Sequence, residues 1–375
     1  MSAGEVSGDH YIARVAGRLR DRGYDGRICG LCGAEARSAG VEGLWSAERL
    51  QLMGVSEVLG SIRDILSLKR EMEREIARQN PAVLVLADSP DFHLPLMRSL
   101  RRAGYGGKFF YISPPSVWAW RSYRVRDLRR YVDENLPLFK FEHDYLVRAE
   151  CRSYWIGHPL VEEFEGWRPD RARILEEIGG VARDDRIVAL LPGSRRSEIE
   201  MLYPVLSGLY ARLAEAGFAP VFSVAPGLSE RASSFLRSRI EAAGQRRYDG
   251  PGRELMAISE AVAGSSGTAT AQALLLRRYM VVLYKLRPLS ALIGKIFLRH
   301  LFFAVPNLLA EEMFYPELIQ ENATTEKAFD AAMKWLQSPP ERRAEVEAKM
   351  ERLAALMGRP GACDFWADRI LAAVN

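Results

Sequence analysis

Short apolar runs alternate along the whole chain with longer stretches in which apolar residues recur at helical spacing. That is the pattern of a parallel sheet covered by helices on both faces. In the first half, residues 28–31, 83–87, 109–113 and 135–139 are predicted strands, and 153–157 is a further one that closes this half. Each runs into a loop rich in Ser, Pro, Gly or Asp, and in open α/β sheets that edge is where ligands bind. The polar stretch 163–185, broken at Trp167, Arg168, Pro169 and Asp170, predicts a linker. A second series then begins: 187–191 runs into Pro-Gly-Ser-Arg, 221–225 into Pro-Gly, and 279–284 follows a helix that starts near Thr268. Residues 341–357 read as a charged, solvated helix, and Phe365, Trp366, Ile370, Leu371 and Val374 as the apolar face of a terminal one.

The fold class is therefore α/β: two tandem Rossmann-like, doubly wound domains, 1–162 and 163–355, followed by a terminal helix at 356–375. The length of 375 residues agrees, because a single core rarely grows that large. One element is expected to be missing. A doubly wound fold opens with a central strand, yet the first glycine-bearing turn, Gly4 to Asp9, begins almost at Met1. The chain thus reads as short by one strand, on the order of ten residues.

Composition narrows the function classes. A net charge of +4 is too slight to argue for nucleic acid. Four cysteines form no disulfide framework and fit a reducing compartment. Cys29 and Cys32 make a C-x-x-C, but no second pair completes a zinc site, and they are expected to be small residues in a glycine-rich turn. The greasiest region, 274–309, is cut by Arg277, Arg278, Lys285, Arg287, Lys295 and Arg299, so no run approaches the ~20 apolar residues of a spanning helix.

No G-x-x-x-x-G-K-[ST] loop and no G-x-G-x-x-G occurs, so ATPase and dinucleotide readings lack their usual support. Gly193, Ser194 and Arg195 nevertheless form a strand–turn–helix junction, where backbone N–H groups and a guanidinium suit a diphosphate. A plain turn with solvated arginines reads equally well. A similar turn holds Ser266, Gly267, Thr268, Thr270 and Gln272, suited to an anion or a ribose, or simply to helix capping. In the first half, Asp88 and Asp91 lie just past a strand end, where a carboxylate can act as general base. Asp88 is the better candidate; Asp91, beside Pro90, suits a turn. Glu5, Asp9 and His10 crowd the first turn. Trp118, Trp120 and Arg121 follow a proline pair and could stack a sugar or hold acyl chains, or form a packed lid or interdomain corner, and Arg121, Arg124, Arg126, Arg129 and Arg130 continue as a basic face that suits membrane phosphates or plain solvation.

Taken together, these segments resemble the lipid-A-disaccharide synthase family. The motifs are Ala-Gly-Glu-Val-Ser-Gly-Asp at 3–9, Leu-Met-Gly-Val-Ser-Glu-Val-Leu at 52–59, Asp-Ser-Pro-Asp-Phe at 88–92, Ser-Val-Trp-Ala-Trp-Arg at 116–121 and Ile-Gly-His-Pro at 156–159. Pro-Gly-Ser-Arg at 192–195, Ser-Gly-Thr-Ala-Thr at 266–270 and Pro-Asn-Leu-Leu-Ala at 306–310 continue the series in order.

The resemblance implies a GT-B arrangement of two Rossmann-like domains with an interdomain cleft and a terminal helix that packs back on the first domain. No metal and no cofactor are implied. It implies transfer of 2,3-diacylglucosamine from UDP-2,3-diacylglucosamine to 2,3-diacylglucosamine 1-phosphate, giving the β-1,6 disaccharide and UDP, by a cytoplasmic enzyme peripheral on the inner membrane. Carried over by motif, Asp88 is the base, Arg195 binds diphosphate, and Glu5 and Asn307 line the cleft. Apolar residues from Leu50 to Leu66, and a second group from Leu292 to Phe303, are candidates for contact with lipid. The chain departs from the family pattern at Gln272, where a glutamate is usual, and at Cys32, Pro114-Pro115 and Lys140. Other readings left open are a UDP-sugar transferase or epimerase with a different acceptor, and a non-catalytic nucleotide-binding protein of the membrane surface.

Overall fold

The computed structural model of the protein describes residues 1–51, 58–285 and 302–374, the side chains of 51 and 58–62 excepted. It divides into two compact units, Met1–Glu162 with Met357–Asn375, and Glu163–Leu356.

The first unit holds β1 (Ser2–Ala3), β2 (Cys29–Cys32), β3 (Glu42–Ser46), β4 (Val83–Ala87), β5 (Lys108–Ile112) and β6 (Glu134–Leu136). They form one parallel sheet in the order β3-β2-β1-β4-β5-β6. The second unit holds β7 (Ile187–Leu191), β8 (Ala219–Ser223), β9 (Arg247–Tyr248), β10 (Ala261–Ser265), β11 (Tyr279–Tyr284) and β12 (Glu317–Ile319). Their parallel order, β12-β11-β10-β7-β8-β9, is the same winding read from the other edge. In each sheet the winding reverses at one place, between β1 and β4 and between β7 and β10. Outside the strand ends at such a switch point the loops diverge and leave a crevice.

Buried parallel strands read as continuous apolar runs because both faces are covered. The Val-Leu-Val-Leu-Ala of β4 is an example. Its Val85 and Ala87 enter a core with the helix Val6–Asp21 and the terminal helix Ala362–Val374, while Leu84 and Leu86 enter another with the helices Val58–Gln79 and Pro90–Arg102. Trp366 and Ile370 of the terminal helix are buried in the first of these cores.

Several expectations are corrected. The opening strand is present, two residues long, with Ser2 paired to both Leu31 and Leu86 and Ala3 to Ala87. A cavity of about 290 Å³, lined in part by Gly30, Met72, Val83 and Leu84, lies beside it. Residues 153–157 make only isolated bridges, Ser153 with Asn135 and Gly157 with Gly358. At Gly157 two backbones cross closely, since a Cβ there would lie 2.1 Å from the Arg359 carbonyl oxygen. The stretch 163–185 is no bare linker, because Asp170 accepts from the Arg173 N–H (3.1 Å) and caps the helix Arg171–Ile178.

Cys29 and Cys32 lie on a strand rather than in a turn, and three residues apart they point to opposite faces. Cys29 Sγ faces the side-chain oxygen of Gln79 (3.6 Å), whereas Cys32 is buried in the core of the first helix. Among the described residues no group of three or more His, Cys, Asp or Glu could hold a metal ion. No described helix is long and apolar enough to cross a membrane.

Candidate active site

Asp88 stands one residue past β4, at the switch point of the first sheet. Asp88 and Ser89 both have left-handed backbones, with φ of 52° and 42°, a sparse state for residues with a Cβ and one that clusters at functional sites. The turn after β1 supplies the carboxylate's partners. Oδ1 accepts from the Gly4 N–H (3.1 Å) and Oδ2 from the Glu5 N–H (3.2 Å), while the Ser89 hydroxyl donates to Oδ1 (2.5 Å). Glycine is required in that turn, for a Cβ on Gly8 would sit 1.7 Å from Asp88 Oδ2 and one on Gly4 would sit 2.2 Å from Ser89 Oγ. Burial raises the Asp88 carboxyl from 3.8 to about 7, against the opposing pull of its three donors. The group therefore changes charge near neutral pH, where a general base works best.

Behind the carboxylate, the carbonyl oxygen of Asp88 accepts from the Tyr111 hydroxyl (2.7 Å) and from His93 Nδ1 (2.9 Å). Neither His93 nor Tyr111 carries a sequence signal, since each lies in an apolar run and reads as core. Glu5 is the N-cap residue of the helix Val6–Asp21 and is half-buried. Asp9 takes a structural part instead. Its carboxylate accepts from the N–H groups of Gly33 (2.6 Å), Glu35 (3.1 Å) and Ala36 (3.4 Å), capping the short helix Ala34–Ser38. His10 Nδ1 lies 2.7 Å from Glu35 Oε2.

The tryptophan segment is tied down from beneath. Trp118 donates its indole N–H to Glu142 (3.3 Å), a buried carboxyl that desolvation raises to about 7, and packs edge-on against Phe141. Trp120 is exposed, with the Arg121 guanidinium 4.4 Å over its ring. Arg121 also pairs with Asp91 (2.6 Å), as does the buried Arg124. The expected basic face is thus broken. Arg124 points inward to a carboxylate, and Arg129 pairs with Glu150 (2.8 Å).

In the second unit both expected turns flank the switch point, one after β7 and one after β10. Gly193 has a φ of 119°, open to glycine and strained for other residues. Arg195 is the N-cap of the helix Arg196–Glu215. The Ser194 and Arg195 N–H groups donate to Glu198 Oε2 (3.0 and 3.4 Å), so the helix start carries a carboxylate of its own. Gly267, with a φ of 129°, has nothing within 4 Å of where a Cβ would stand, so its backbone is open to approach. Thr268 is exposed, and Gln272 is half-buried with no side-chain hydrogen bond among the described residues. Ser266 and Thr270 are occupied structurally: Ser266 donates to the Phe303 carbonyl (2.9 Å), and Thr270 donates to the Gly267 carbonyl (2.9 Å) and accepts from the Val305 N–H (3.1 Å).

Asn307 is fully buried and its amide is saturated. Nδ2 donates to the Tyr315 carbonyl and to Glu317 Oε1 (both 2.8 Å), while Oδ1 accepts from the N–H groups of Phe314 (2.9 Å) and Tyr315 (2.6 Å). An amide so engaged organises its loop, with both its N–H groups and its oxygen held by protein partners. Glu317, unforeseen from sequence, also accepts from the N–H groups of Phe303 (3.0 Å) and Ala304 (2.8 Å). Most of the expected lipid-contacting residues, 51–62 and 292–301, fall outside the described side chains. Of the rest, Leu50 is buried, Ile65 packs on the core, Leu66 is 46% exposed, and Phe302 and Phe303 are half-buried.

A profile of the lipid-A-disaccharide synthetase family matches residues 1–367. The chain belongs to this family. The lipid-A-disaccharide synthase of Myxococcus xanthus is 33% identical over 374 residues, 98% of this chain and 95% of that protein. That of Azotobacter vinelandii is 35% identical over 344 residues, 90% of this chain and 89% of its own. The protein is accordingly a hexosyltransferase of lipid A biosynthesis. Among solved structures it resembles the UDP-GlcNAc 2-epimerase of Neisseria meningitidis bound to UDP-GlcNAc, with a TM-score of 0.63 at 11% identity over 97% of each chain. It also resembles a glycosyltransferase of Rickettsia africae, with a TM-score of 0.55 at 11% identity, covering 99% of this chain and 95% of that one. These likenesses show the GT-B fold.

Proposed function

We propose that the protein transfers 2,3-diacylglucosamine from UDP-2,3-diacylglucosamine to the 6-hydroxyl of 2,3-diacylglucosamine 1-phosphate. Asp88 takes the hydroxyl proton, the acceptor oxygen forms a bond to the donor's anomeric carbon on the face opposite the diphosphate, and the carbon–oxygen bond to UDP breaks with its electron pair leaving on UDP. Inversion yields the β-1,6 linkage. The observation that carries this reading is the Asp88 carboxyl, held at a switch point by three donors and titrating near neutrality. A positioned base of this kind contributes on the order of 10²–10⁴ in rate.

The leaving diphosphate needs positive charge, and Arg195 with the open backbone at Gly267 is the assigned hold in the second unit, with Ser194, Thr268 and Gln272 toward the nucleotide. Gly193, Ser266 and Thr270 shape those turns. Trp118 and Arg121 flank the acceptor, and Glu5 stands next to the base. Asn307 acts at one remove, fixing the loop that Ser266 and Thr270 bind. The first unit takes the acylated acceptor and the second UDP, at the cytoplasmic face of the inner membrane.

Acyl dependence tests the substrate class. Purified protein incubated with radiolabelled UDP-2,3-diacylglucosamine is expected to label 2,3-diacylglucosamine 1-phosphate and to leave unacylated glucosamine 1-phosphate unlabelled. Equal labelling of both would sink the lipid reading in favour of a transferase for a soluble acceptor.

A further inference from the structure

We infer that His93 and Tyr111 are positioning residues that set the basicity and aim of Asp88 by gripping its backbone carbonyl; this rests on the reading of Asp88 as the base. Asp88 and Ser89 are consecutive non-glycine residues in the left-handed region, and such a backbone persists only where its surroundings over-determine it. Two donors from separate elements converge on the one carbonyl between them. Tyr111 comes from β5 and His93 from the helix Pro90–Arg102, and both side chains are fully buried.

The carbonyl settles the tautomer of His93. A carbonyl oxygen only accepts, so Nδ1 carries the proton and donates, and Nε2 must accept from the Ser2 hydroxyl (2.8 Å). Burial lowers the imidazole to about 4, which keeps this neutral tautomer in place across the working pH range. A chain of hydrogen bonds thus runs from β1 through His93 to the peptide group of the base. Five donors in all hold Asp88: three on its carboxylate and two on its carbonyl. The carboxylate can be placed only as well as the peptide that bears it, and this peptide would relax toward ordinary φ if the carbonyl were released.

Two substitutions separate the ends of the imidazole. The amide nitrogen of asparagine can stand in for Nδ1 and that of glutamine for Nε2. His93→Gln is expected to lose the bond to Asp88, to lower kcat about tenfold or more with KM for both substrates within about twofold, and to move the Asp88 carboxyl, followed by carbon-13 NMR, about half a unit or more back toward the ordinary carboxylate range. His93→Asn is expected to keep kcat within about threefold and to leave the carboxyl titration where it was. Tyr111→Phe, the mildest change, is expected to shift that titration in the same direction as His93→Gln.

The inference is overturned if the Gln and Asn variants are impaired equally and in proportion to their loss in Tm, or if His93→Gln leaves kcat and the titration unchanged. A His93→Gln variant that shifts the titration, in a protein whose Asp88→Asn form still turns over normally, would uphold the positioning and reject Asp88 as base.

Discussion

Replacing Asp88 by Asn converts the burial of this carboxyl into a measurable dependence of stability on pH. In the native state the group titrates near 7 and in the unfolded chain near 3.8. Between those values the native protein binds a proton that the unfolded chain has released, so the wild type loses stability as pH rises through this window and levels off above it. At about 1.4 kcal/mol per pH unit, the stretch from about pH 5 to 7 is worth roughly 3 kcal/mol. Asparagine does not titrate. It leaves the Gly4 or the Glu5 N–H facing an amide NH₂, which costs about 1–2 kcal/mol at every pH.

The stability of the variant relative to wild type is thus expected to climb by roughly 3 kcal/mol from about pH 5 to 7 and to stay flat above about 8. Native-state hydrogen exchange of the β4 and β5 amides, compared at matched pH so that intrinsic exchange rates cancel, reads this difference in the first unit alone. Two stability profiles that run parallel across the window would show that Asp88 ionises like an exposed aspartate, and the case for a base poised near neutrality would collapse.

Other substitutions probe the remaining geometry. Gly8→Ala should help the helix Val6–Asp21 by about 1 kcal/mol on propensity alone, but the added methyl meets Asp88 Oδ2; kcat/KM is expected to fall at least about tenfold, and unchanged kcat/KM would refute the packing of that turn. Asn307→Asp removes two donors and sets a second carboxylate against Glu317. Thermal unfolding of the second unit is expected to show a loss of roughly 2–4 kcal/mol, and a loss below about 0.5 kcal/mol would restore Asn307 as a free ligand-facing amide. Glu198→Gln takes a negative charge from the N–H groups of Ser194 and Arg195. Titration calorimetry with UDP is expected to show several-fold tighter binding, on the order of 1 kcal/mol, whereas weaker binding would place Glu198 among the groups that hold the nucleotide.

Much of the fold was legible because parallel strands covered on both faces leave apolar runs. β4, β7 and β11 stand within the residues their patterns indicated, and the terminal helix shows its apolar face plainly. β1 was illegible because two residues leave no run at all, yet Ser2 and Ala3 pair on both sides. β10 hid in Ala-Val-Ala-Gly-Ser, small residues that read as the approach to a turn, where Gly264 is needed because a Cβ would meet the Leu191 carbonyl oxygen at 2.2 Å. At the site, Asp88 could be found from its place after a strand. Asp9 crowds the first turn in sequence beside Glu5 and His10, and only the three N–H groups on its carboxylate show it to be a cap. The saturation of Asn307 depends on Tyr315 and Glu317, eight and ten residues on, through a loop closure that no periodicity announces. His93 and Tyr111 act through polar atoms on otherwise apolar faces, so pattern alone files them with the core.

Sugar transfer itself gives the most direct test. With radiolabelled UDP-2,3-diacylglucosamine and saturating 2,3-diacylglucosamine 1-phosphate, single-turnover formation of labelled disaccharide is expected to fall by on the order of 10²–10⁴ in Asp88→Asn, with donor affinity retained. Equal rates in the wild type and the variant would contradict Asp88 as the base on which the proposed chemistry depends.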